Sequence, residues 1–209
     1  MKYIYIYMDV YISLGYKCSP RGAIKNVYGF SKKNGYKSCP FDLCIAPFNA
    51  LCKILENDFS TFFDGLKIIE WENGNGDRSK SGPGNTAITN KCGIIFNHEG
   101  GGHSHLFKVG RNDDTFYSKN NFKEFRIRYA RRIQNFQNIF KNSNNIIFVY
   151  TGNEFKEDII RKIIEKTYGH KIIKFIKIPT HNTIGAFPEP AEVTYKRWLR
   201  TGSCSTNGD

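Results

Sequence analysis

Tyrosine alternates with isoleucine or valine through residues 3–14, and the run stops at Gly15. A period of two predicts a half-buried first strand. Ser19 is a good N-cap and Pro20 suits the first helical position, so the pattern predicts a helix over about 20–30, with Cys18 just ahead of it. Residues 37–66 read as a turn around Cys39-Pro40-Phe41-Asp42, then helical segments. Pro47 can start one whose apolar residues Phe48, Leu51, Leu55 and later Phe59 recur at three or four. The stretch 74–85, GNGDRSKSGPGN, has no apolar anchor and predicts an exposed, mobile loop.

The stretch 91–110 predicts a hairpin: a strand over Gly93–His98, a glycine turn at Gly100–Gly102, and a second strand at about 103–109. Apolar residues at 122, 125, 129, 133, 136 and 140 predict an amphipathic helix over 122–140. A buried strand over 145–152, a helix over about 154–168 and a strand over 171–178 follow, a βαβ-like alternation. The fold class is therefore α/β (α+β), expected as a single domain over residues 1–200 with a flexible polar tail at 201–209.

Composition sharpens this picture in two ways. With 209 residues and 40% apolar content, the chain buries one sizeable core without staples. Lys2, Asp9 and the tyrosines interrupt the apolar start, so no secretory h-region is read, and the six cysteines are expected to stay reduced in a cytoplasmic, non-secreted protein. No run approaches the roughly 18 apolar residues of a membrane span. The net charge of +12 suits nucleic acid or another polyanion, although basicity speaks to association and not to fold.

Cys18 is either an ordinary buried thiol or a nucleophile at the positive end of a helix. Proximity to a helix N-terminus and pairing with an imidazole both raise the thiolate fraction, and His98, at the end of its predicted strand, is the candidate partner. Cysteine peptidases use that arrangement.

The ordered set ISLGYKC (12–18), CPFDL (39–43), IIFNHE (94–99), RRIQNF (131–136) and IIFVY (146–150) resembles the family first catalogued as a domain of unknown function, DUF1796, and read as papain-like cysteine peptidases. The match covers roughly residues 8–150. The family carries Ser-Leu-Gly-x-x-Cys after an N-terminal strand, Pro-Phe-Asp-Trp, a Phe-x-His strand, an Arg-Arg helix and an apolar strand. The present chain departs from it at Leu43, where the family usually has tryptophan, and in its long glycine-rich loop. The resemblance implies a papain-like core, with Cys18 matching the nucleophile and His98 the base. A triad also needs a polar group to hold the imidazole tautomer. Asp42, in a matched motif, and Asn153 are the candidates, and Asp42 serves equally as a turn-capping aspartate. The Cys18 N–H and a donor from Ser13–Lys17 would make an oxyanion hole.

Other constellations are weaker. His103-x-His105, with His98 near in sequence, offers three nitrogen ligands, but there is no tight CxxC and no HExxH, so neither metal nor other cofactor is expected. Gly100–Gly102 and Ser81–Gly84 lack the Lys-Ser/Thr of a P-loop. Arg128, Arg131 and Arg132 form a basic patch on the 122–140 helix, read as a solvated face that can also meet a polyanion. The expected function is thiol-dependent hydrolysis or acyl transfer on a peptide, isopeptide or other amide, with no oligomeric state specified. The alternatives are a non-catalytic polyanion-binding protein and a transferase for phosphorylated or nucleotide-linked sugars, the latter requiring Arg131 and Arg132 to face a cleft.

Overall fold

A computed structural model describes residues 9–70, 86–99 and 115–179. The loop expected at 74–85, the strand expected at 103–109 with His103 and His105, the glycine turns and the tail lie outside these residues. In chain order the elements are β1 (Val10–Ser13), α1 (Ser19–Asn26), α2 (Phe48–Glu56), β2 (Lys67–Glu70), β3 (Thr86–Thr89), β4 (Ile95–Phe96), α3 (Thr115–Asn142), β5 (Asn145–Tyr150), α4 (Glu157–Tyr168) and β6 (Ile172–Lys177). The mixed α/β class is as the pattern predicted.

One sheet is parallel, in the order β1-β5-β6, with Val10 opposite Ile146 and Phe148 opposite Phe175. In the central strand β5, every residue from Ile146 to Tyr150 is buried. That is the physics of a parallel strand covered on both faces: it reads as a continuous apolar run instead of an alternation. The β5-α4-β6 unit is the expected βαβ alternation, and α4 covers it with Ile160, Ile163 and Ile164.

The second sheet is antiparallel, β2-β3-β4, with Ile68 opposite Ile88 and Ile88 opposite Phe96. Strands β2 and β3 were not legible in the sequence, because each offers only four residues. Strand β4 is shorter than the expected 93–98, since the chain turns at once and the Glu99 N–H donates to Phe96 O at 3.0 Å. An antiparallel bridge ties Ile95 to Ile45, linking the CPFDL turn to this sheet.

The apolar stripe of α3 supplies the common core. Phe122, Phe125, Tyr129, Ile133, Phe136 and Phe140 are all buried, in one cluster with Ile12, Phe41, Phe96 and Phe148. Each such side chain contributes about 1.5–3 kcal/mol on leaving water. Asn120, Asn121 and Phe122 have positive φ, so right-handed geometry runs from Lys123, close to where the apolar period begins. Among the described residues no helix is long and apolar enough to cross a membrane.

Candidate active site

Strand β1 delivers the thiol. Leu14 N–H donates to Val149 O at 3.0 Å, which carries the sheet one residue past β1, and the backbone then turns left-handed at Gly15 (φ 68) and Tyr16 (φ 74). Gly15 is dictated by space as well as by φ: a Cβ there would stand 2.9 Å from the Ala46 Cβ. The Tyr16 ring lies against Gly152, just past β5, with Glu154 and Phe155 on the same rim. Leu14, Ala46 and Leu51 line a small, mostly apolar depression beside them. It sits at the carboxyl ends of two parallel strands, where open α/β sheets bind ligands.

The turn sets Cys18, not Ser19, at the N-cap of α1, with φ −70, ψ −18 and no side-chain hydrogen bond capping the helix. The half-buried thiol therefore stands at the positive end of an eight-residue helix. Its Sγ lies 2.9 Å from His98 Nε2, across 80 residues of sequence.

His98 follows β4, and β4 is set in place by the preceding β3–β4 turn, whose shape is fixed by buried polar bonds. Asn90 Nδ2 donates to Phe62 O at 2.9 Å, Ile94 N–H donates to Asn90 Oδ1 at 3.1 Å, and Thr89 Oγ1 donates to Ile94 O at 2.9 Å. The Phe96 ring then anchors β4 against Phe62, Phe125 and Tyr129. Next to the histidine in the chain, Glu99 is 2% exposed. Arg128 Nη1 donates to Glu99 Oε2 at 2.5 Å, and Arg132 Nη2 lies 3.9 Å from Oε1 while its guanidinium rests 4.6 Å above the Tyr129 ring. Burial works against the charge on Arg132, but Tyr129, Glu99 and Asp42 outweigh it and hold the group charged.

This corrects the solvated face expected of the three arginines: Arg131 is exposed, whereas Arg128 and Arg132 turn inward to a buried carboxylate. The sugar-phosphate reading needed Arg131 and Arg132 on one cleft, and they diverge.

Asp42 is not brought to His98. Its Oδ2 accepts from the Cys39 N–H at 2.9 Å and its Oδ1 from Tyr36 Oη at 2.9 Å, while Arg21 Nε lies 3.8 Å away. Arg21 also rests 4.0 Å above the Tyr36 ring, so Asp42 ties α1 to the CPFDL turn. Burial raises the Asp42 carboxyl above its ordinary value, against the pull of Arg21, Arg132 and its hydrogen bonds. The other candidate, Asn153, is exposed and accepts from Lys177 Nζ at 3.1 Å.

The remaining thiols are of a different kind. Burial pushes Cys39 and Cys44 well above the ordinary thiol value, and burial with Glu56 beside it pushes Cys52 up to about 11. Among the described residues no group of three or more His, Cys, Asp or Glu is gathered for a metal ion.

Sequence reasoning missed Asn97, whose Nδ2 lies 3.8 Å from Cys18 Sγ, and Glu99. Both stand inside the quoted IIFNHE motif, and Arg128 and Arg132, one helical turn apart beside Tyr129, were the available signal for a buried acidic partner. Residues 9–170 match the family described as "Putative papain-like cysteine peptidase (DUF1796)", while no curated protein and no solved structure matches. The match spans the Cys18 turn, the CPFDL turn, the His98 turn and the arginine helix, and the chain belongs to the DUF1796 family.

Proposed function

We propose that the protein is a thiol-dependent acyl-transfer enzyme acting on a peptide, isopeptide or other amide. The 2.9 Å contact between Cys18 Sγ and His98 Nε2 at the start of α1 carries this reading. Cys18 attacks the acyl carbon, and the imidazole takes the thiol proton and returns it to the leaving amine. Water or another acceptor then releases the acyl group from sulfur.

The test is the pH dependence of Cys18 alkylation by iodoacetamide, followed by mass spectrometry in the parent and in His98→Ala. An apparent pKa well below about 8.5 that rises on losing His98 is expected. A slow Cys18 with an ordinary profile, indifferent to His98, would make it a structural thiol. The charge of +12 then favours the polyanion-binding reading, with binding that collapses with salt.

A further inference from the structure

We infer that Asn97 is a catalytic residue of this site, its side-chain amide donating to the oxyanion that forms when Cys18 attacks a carbonyl. The inference rests on the acyl-transfer reading above and adds to it the group that carries the developing charge. Asn97 Nδ2 lies 3.8 Å from Cys18 Sγ, so two neighbouring residues of one turn, Asn97 and His98, both address the same sulfur. The oxyanion forms on the atom bonded to the carbon that sulfur attacks. A donor at this distance from Sγ is within reach of the roughly 3 Å hydrogen bond such an oxygen takes.

The other end of the amide supports the assignment independently. Asn97 Oδ1 is buried with no hydrogen-bond partner. A buried acceptor left unpaired is costly, and a site that keeps one calls for a functional reason. Turning the amide over would not relieve it, since Oδ1 would then face a sulfur that carries negative charge when reactive, setting two acceptors against each other. The turn therefore holds the amide with its N–H₂ toward the reacting atom. The neighbouring Glu99, clamped by Arg128 and Arg132, holds this turn against α3.

In the step itself, the Sγ–C bond forms while the carbonyl π pair moves to oxygen, where the Asn97 N–H bonds it. The pair then returns, the carbonyl re-forms, and the bond to the leaving group breaks with its electrons.

The experiment compares two reactions of Cys18 that differ in one respect. Acetylation by p-nitrophenyl acetate, read as p-nitrophenolate release and as acetyl-Cys18 by mass spectrometry, passes through an oxyanion. Alkylation by iodoacetamide does not. For Asn97→Ala we expect acetylation to fall about 100-fold while alkylation changes by less than about threefold. Asn97→Leu, which keeps similar volume and removes the unpaired Oδ1, should show the same split with an unimpaired thermal melt, and it decides the matter should the alanine variant unfold. Acetylation unchanged in these variants, or acetylation and alkylation falling together, would overturn the assignment. The two readings separate when His98→Ala is run beside them: acetylation that depends on His98 but not on Asn97 refutes the Asn97 role alone, whereas acetylation indifferent to His98 refutes both.

Discussion

Replacing Glu99 with glutamine tests whether the buried charge cluster holds the His98 turn in place. The substitution keeps the shape and removes the charge that two guanidinium groups share. At an effective dielectric near 20, unit charges about 4 Å apart attract by about 4 kcal/mol, and removing one partner of a buried pair costs about 3–5 kcal/mol because the other charge is stranded. Here the side-chain exposures are 3% for Glu99, 22% for Arg128 and 14% for Arg132, so both arginines regain some water and the amide oxygen keeps one hydrogen bond. The low end applies, about 3 kcal/mol. For a chain of this size that is a fall in Tm of about 6–12 °C. The assay is urea unfolding and a thermal melt of Glu99→Gln beside Arg131→Ala, which touches an exposed position and should stay within about 0.5 kcal/mol. Because Glu99 follows His98 in the turn closed by its N–H on Phe96 O, Cys18 alkylation in Glu99→Gln should also lose part of its dependence on the imidazole. A loss under about 1 kcal/mol, the range of an exposed ion pair, would refute the picture of a desolvated clamp.

Asp42 supplies a pH test. Its carboxyl is raised in the folded protein, chiefly by burial, so the folded chain binds that proton more readily than the unfolded one. Stability owed to Asp42 therefore falls as pH rises from the unfolded carboxylate range near 4 through the raised folded value. Asp42→Asn should flatten that decline in unfolding measurements and leave the Cys18 alkylation profile unchanged, whereas an Asp42 that orients His98 would slow it. Gly15→Ala forces φ 68 on a residue whose Cβ meets Ala46 at 2.9 Å, and should cost about 2 kcal/mol or more in urea unfolding; a neutral result would mean the β1–α1 turn has room to shift. At pH 7 a thiol pushed up to about 11, as Cys52 is, holds about one part in ten thousand as thiolate. Limited iodoacetamide should therefore label Cys18 before Cys39, Cys44 or Cys52, and peptide mass spectrometry showing Cys52 first would contradict the assignment of Cys18 as the activated thiol.

Local periodicity carried much of the architecture. The spacing 122, 125, 129, 133, 136 and 140 predicted the buried face of α3, and the apolar run within 145–152 predicted a buried strand, because each pattern records burial along a single element. The Ser-Pro start of α1 likewise put Cys18 at a helix N-terminus, within one residue of its place. Pairing is another matter. Strand β1 finds β5 across more than a hundred residues, and β2 and β3 are too short to announce themselves before they meet. Which residue answers a charge is equally invisible along the chain. Arg128 and Arg131 look alike in sequence, yet one meets buried Glu99 and the other meets water. Asp42 has the chemistry to orient an imidazole, but Tyr36 and the Cys39 amide, which fold back onto it within the same turn, take its carboxylate first. The approach of His98 to Cys18, with Asn97 beside it, depends on strand β4, which the turn closed by Asn90 and Thr89 sets in place and which packs on α3 through Phe96, and such long-range burial is decided only when the whole core condenses.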